Sequence, residues 1–226
     1  MVSYGDEKGA CEMIFSYGFL EDGSTTAYDL FLDLELPNDD PLGGPKKAVS
    51  TCAPGVRLIG DPQGVRWEGD YVYLICVNEE DGLKFELVQT TDGEQELQVL
   101  WQGQDLSDTS KLKALLQANP LWHVYNLRAV YIIQVRIDQQ LQRLYGTAEV
   151  ENRDLKEGTG IREGPWKLAM KLRELETGFL EQAYADFEEM VRTKCISGSS
   201  TLIMDVLDIA TIVSRLTKMA ACRRTS

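Results

Sequence analysis

Chemistry-bearing residues are scarce in this chain. There is one histidine, His123, and the five cysteines (Cys11, Cys52, Cys76, Cys195, Cys222) fall at no spacing that pairs metal ligands. A zinc site needs several such groups converging, so no metal is expected. His123 stands beside Trp122 near a helix start and reads as a capping or packing residue. There is no Gly-x-Ser-x-Gly elbow, no Walker loop and no His-Glu-x-x-His. An odd number of cysteines without a framework fits free thiols in a reducing compartment. Basic residues are also few: 23 Lys and Arg stand against 36 Asp and Glu, for a net charge of −13. No Lys/Arg cluster could track a phosphate backbone, which disfavours nucleic acid as a partner. No apolar run reaches the ~18 residues of a membrane span, and none precedes a small-residue cleavage site. The expectation is a protein of the cytoplasm or nucleus with no membrane partner.

The 226 residues are 43% hydrophobic and 26% charged, enough for a genuine core in one large or two small domains. The acidic balance favours basic, lysine-bearing partners.

Local patterns change along the chain. "LFLDLELP" (30–37) alternates leucines with acidic residues and predicts a short strand or extended segment. "PNDDPLGGP" (37–45) is a loop and a boundary. "GVRLIG" (55–60), "VRWEGDYVYLICV" (65–77), "LKFELVQT" (83–90) and "QELQVLWQG" (95–103) are rich in β-branched and aromatic residues. Asp-Gly pairs in "EEDG" (79–82) and "TTDG" (90–93) separate the later three, so an antiparallel meander of three or four strands is expected. After Ser107 the period becomes helical. "SDTSKLKALLQAN" predicts a short helix, then Asn119-Pro120 reads as N-cap and first position of a long one. Apolar stripes predict three long helices over roughly 120–148, 165–192 and 200–221, with a polar connection at 152–165. The Gly-x-Gly of "EGTGIREG" (157–164) joins two helices and follows no strand, so it reads as a linker. The acidic stretch 29–40 matches no calcium loop.

The unusual stretch is "SYGDEKGACEMIFSYGF" (3–19), with two Tyr-Gly pairs, Tyr4 and Tyr17, thirteen residues apart. It resembles the end of the SET domain in protein-lysine methyltransferases of the branch that includes the Rubisco large-subunit methyltransferase. Tyr4, Lys8, Glu12 and Tyr17-Gly18-Phe19 hold the family's places. The family's Ser-Asn appears as Gly9-Ala10 and its Ala as Cys11. The resemblance implies an α+β fold. Its parts would be the end of a SET β-domain (1–36), a linker and β-meander (37–107), and a mainly helical substrate-binding domain (108–226). It implies S-adenosylmethionine as cofactor and a lysine-bearing protein as substrate. Tyr4 would be the catalytic tyrosine and also touch the cofactor, Tyr17 would line the lysine channel, and Phe19 would stand beside the cofactor's adenine.

Elementary chemistry is consistent with those roles. Methyl transfer to lysine needs a neutral amine, whereas free lysine titrates near ~10.4, so its channel must desolvate the side chain. Aromatic walls do this while tolerating the incoming cation, and a fixed tyrosine hydroxyl orients amine and methyl. The family binds its cofactor mainly through a Gly-rich segment and an Asn-His pair upstream of the catalytic tyrosine. Three residues precede Tyr4 here and no Asn-His occurs. The expectation is therefore a truncated methyltransferase, inactive alone, with weak or no cofactor binding and with Met13, Ile14, Phe15 and Phe19 partly exposed. The alternative is a non-catalytic protein-binding module with a vestigial SET remnant.

Overall fold

The computed structural model describes residues 10–20, 29–37, 40–61, 63–89, 92–156 and 163–197. These are mixed helix and sheet, the α+β class expected, and divide into two compact units. The first comprises the described part of Met1–Leu32 with Arg57–Glu68 and Gln134–Glu189; the second comprises Asp33–Val56, Gly69–Ile133 and the described residues from Met190 onward.

The first unit starts with a short helix, α1 (Ala10–Tyr17), where an extended segment would suit the family's β-domain. Its residues are mostly good helix formers with one β-branched member, Ile14, so local propensity permits the turn. Strand β1 (Asp29–Asp33) lies beside β2 (Gly55–Asp61), and β2 pairs antiparallel with β3 (Gly64–Glu68) in the register Ile59 to Arg66. Arg57 Nε donates to both carboxylate oxygens of Asp29 (2.7 and 2.6 Å), joining β2 to β1. The β2–β3 turn carries Gly64 at φ +135°, and the next amide, Val65 N, donates to Asp186 Oδ2 at 2.9 Å. Asp186 lies on α6 (Glu163–Ser197), so the turn is tied to that helix. Ile137, Leu141, Leu180, Ala183 and Phe187 are buried, as the three-four stepping requires.

In the second unit, α2 (Gly43–Val49) carries Lys46, almost wholly buried, whose Nζ donates to Asp40 Oδ2 at 2.7 Å. Helix α3 (Tyr71–Cys76) corrects the strand expected over 65–77: the strand ends at Glu68 and the chain coils. "YVYLIC" is apolar at consecutive positions, and a run buried on all sides carries neither period. Gly69 explains the sharp change of course, because a Cβ there would lie 2.8 Å from Gly55 O. The "EEDG" turn consequently links α3 to a strand rather than two strands.

The hairpin signalled by Asp92-Gly93 forms as expected: β4 (Leu83–Gln89) pairs antiparallel with β5 (Gln95–Trp101), Phe85 opposite Val99. Gln102 and Gly103, both at positive φ, turn β5 into the two-residue β6 (Gln104–Asp105). A 3-10 turn, Thr109–Lys111, leads into α4 (Leu112–Ala118), and Asp108 caps it by accepting from Ser110 N.

Asn119 is the residue after α4 rather than the N-cap of the next helix. Its Oδ1 accepts from Leu121 N and its carbonyl from Trp122 N, both at 2.9 Å. Helix α5 (Trp122–Lys156) therefore starts two residues later than expected and runs eight further. The polar connection foreseen at 152–165 shrinks from both sides because Glu151, Arg153, Leu155 and Lys156 are compatible with helix. Pro165 is tolerated in the first turn of α6. The third long helix foreseen, 200–221, lies outside the described residues.

Candidate functional site

Gly18 determines how the Tyr17-Gly18-Phe19 segment is presented. It takes φ +74° just past the end of α1, and its amide donates to Ile14 O at 2.9 Å. This is a left-handed helix terminus, a conformation that favours glycine; a Cβ would meet nothing within 4 Å, so the requirement is torsional rather than spatial. The reversal leaves the rings of Tyr17 and Phe19 side by side, centroids 6.2 Å apart and tilted by 46°. Both are partly exposed, at 42% and 40%. The next residue, Leu20, is buried against Leu168, Leu172, Leu175 and Phe179 of α6, with Ile14 and Leu30 beside it. The aromatic pair thus rides on an anchored segment.

Tyr4, Lys8 and the first Tyr-Gly pair lie outside the described residues. Among the four apolar residues expected at the surface, Phe15 is almost fully exposed and Phe19 partly so, whereas Met13 is buried and Ile14 half-buried in the Leu20 cluster. His123 is exposed on the first turn of α5 rather than packed. Among the described residues no group of His, Cys, Asp and Glu could hold a metal, and no helix is long and apolar enough to cross a membrane.

A groove of ≈ 390 Å³ in the first unit escaped the sequence reading. Leu144 and Tyr145 of α5 line one side; Met170, Glu174, Gly178 and Glu181 of α6 line the other. Tyr145 Oη donates to Glu181 Oε1 at 2.5 Å, and the bond, more than burial, raises the phenol's pKa because ionisation would set two anions together. Arg173 of α6 donates to Leu144 O and to Thr147 Oγ1 on α5. One signal was available beforehand: Tyr145 interrupts the polar face of α5, and Glu174 and Glu181 recur two turns apart on α6. Which helices would face each other was not.

Elsewhere, burial pushes the Cys76 thiol up to about 12 despite the nearby Arg128, and raises the Tyr73 phenol as well. Both belong to a packed interior and to no reaction centre.

The sequence comparison gives the class. Over 155 residues, 66% of this chain, it is 26% identical to a SET domain-containing protein, as the two Tyr-Gly pairs imply. The chain is thus related to the SET-domain methyltransferases of the Rubisco large-subunit methyltransferase branch. The particular relative is SET domain-containing protein 8 of Schizosaccharomyces pombe, and the match spans 36% of its length. Among solved structures, Rubisco LSMT bound to AdoMet is similar over 91% of this chain and 47% of its own, at 19% identity and a TM-score of 0.43. No protein-family model matches the chain.

Proposed function

We propose that this chain is the tyrosine-bearing end of a SET domain joined to a helical substrate-binding domain, acting in a protein-lysine methyltransferase. The observation that carries this is the Gly18 reversal, which presents Tyr17 and Phe19 together at the surface on a segment anchored through Leu20. The domains are those read from the sequence: 1–36, 37–107 and 108–226.

An exposed phenylalanine ring fits the face of an adenine, and a phenol beside it fits the amine of an incoming lysine. When bound, S-adenosylmethionine supplies the methyl group. Phe19 would hold one face of it, Tyr17 would accept a hydrogen bond from the lysine amine, and Tyr4 would orient that amine toward the methyl. Two side chains flanking one glycine are a partial wall, so these 226 residues alone bind the cofactor weakly or not at all and do not turn over. The acceptor is a lysine-bearing, basic protein, in keeping with the net charge of −13.

The test is radiolabelled methyl transfer to a lysine-rich protein fraction by the chain joined to the N-terminal half of a SET domain. Tyr4→Phe keeps the ring and deletes the hydroxyl, and is expected to lower turnover by about two to three orders of magnitude. Tyr17→Phe is expected to change how many methyl groups the lysine accepts. Full activity of Tyr4→Phe would overturn the assignment. So would micromolar binding of S-adenosylmethionine by this chain alone, worth about 8 kcal/mol in calorimetry, since the cofactor site would then lie elsewhere.

A second reading, a non-catalytic protein-binding module, is favoured by the lack of any Asn-His pair in the sequence. In that case the joined protein binds its partner and transfers no methyl group.

A further inference from the structure

We propose that the groove between α5 and α6 is a docking site for a basic side chain, lysine or arginine, presented by a protein partner. This deepens the proposed function by adding a contact away from Tyr17 and Phe19; it rests on that reading only in taking the partner to be the methyl acceptor.

The groove has the two halves that a long basic side chain needs. Leu144 and Met170 offer apolar surface for a methylene stem, and Gly178 leaves room between the helices, since a Cβ there would meet nothing within 4 Å. The ≈ 390 Å³ of the groove lies toward the lower end of the ~300–1,000 Å³ typical of ligand sites, enough for one extended side chain. The charged half is on α6. Glu174 and Glu181 are exposed, seven residues and so about two turns apart on one face. Tyr145 Oη holds one oxygen of Glu181 at 2.5 Å, orienting the carboxylate and leaving its other oxygen for a cation. The Tyr145 ring, half exposed, adds a π-face.

The lining has a single positive charge, Arg173, and its Nη2 is engaged by Leu144 O and Thr147 Oγ1. Charge complementarity selects the occupant. A purely apolar segment would set two carboxylates against hydrocarbon, and an acidic one would add like charge, whereas a basic side chain satisfies stem and rim together. The acidity of the whole chain steers the same class of partner toward it.

The experiment is fluorescence anisotropy of a labelled Lys-Ala repeat peptide, with a Glu-Ala repeat of equal length as comparator. The chain is expected to bind the lysine peptide, more weakly as salt rises, and not the glutamate peptide. Gly178→Leu fills the groove with a good helix former, so the fold is kept, as circular dichroism will report, and affinity is expected to fall about tenfold or more. Glu181→Gln keeps an acceptor for Tyr145 and removes only the charge, for an expected loss of about three- to tenfold. Equal affinity for the two peptides, or an unchanged affinity in folded Gly178→Leu, would overturn the proposal. The two readings fail separately. Methyl transfer lost with Gly178-dependent peptide binding intact counts against the enzyme alone; transfer intact with no such binding counts against the groove alone.

Discussion

Asp81→Asn is the substitution whose cost the second unit states most directly. Arg128 Nη1 donates to both carboxylate oxygens of Asp81 at 2.9 Å, and the two side chains are 19% and 10% exposed. The guanidinium has little else: its Nε is buried without a partner, and the Tyr125 ring lies 5.8 Å away. Asp81 also accepts from Asn78 N at 3.0 Å, a bond that an asparagine oxygen can keep. The substitution therefore removes charge and spares the turn. Stranding one member of a fully buried pair costs about 3–5 kcal/mol. Discounting for the exposed fraction of Arg128 leaves about 2–3 kcal/mol, a shift of about 1 M in a urea midpoint. Tryptophan fluorescence is a suitable readout, because Trp101 packs edge-on against Tyr125 with centroids 5.9 Å apart. The double variant Asp81→Asn with Arg128→Gln removes the stranded cation and is expected to recover at least half of the loss. A single-variant loss under about 0.5 kcal/mol, or a double variant no more stable than the single, would refute the reasoning.

Two further outcomes are expected. Gly64→Ala would force a Cβ to 2.9 Å from Asp186 Oδ2 at φ +135°, so thermal melts are expected to show a loss of about 2–3 kcal/mol from strain and from the Val65 amide bond; an unchanged melting temperature would show that the turn is not held by α6. Alkaline stability follows from Cys76: the unfolded thiol ionises near 9.0 while the folded one keeps its proton to about 12. The contribution is full below pH 9 and declines by about 1.4 kcal/mol per pH unit above it. Denaturant midpoints taken across that window should fall less steeply in Cys76→Ala.

The sequence by itself determined the elements whose signal is long or chemically specific. Sustained three-four stepping gave α5 and α6, because a stripe of that length has one buried solution. Asp92-Gly93 between two β-rich runs gave the β4–β5 hairpin, because turn chemistry is local. The Tyr-Gly-Phe motif gave the family resemblance, and its glycine dictates the helix ending that presents Tyr17 and Phe19. Tertiary structure alone decided the rest. "YVYLIC" became α3 because a run buried all round has no period to read, and the backbone approach at Gly69 redirected the chain. Asn119-Pro120 became a turn before α5, since the same hydrogen-bonding side chain serves a cap or a turn equally well. The α5–α6 groove needed both helices in place: Tyr145 and Glu181 are 36 residues apart, and only helix pairing brings a phenol to a carboxylate.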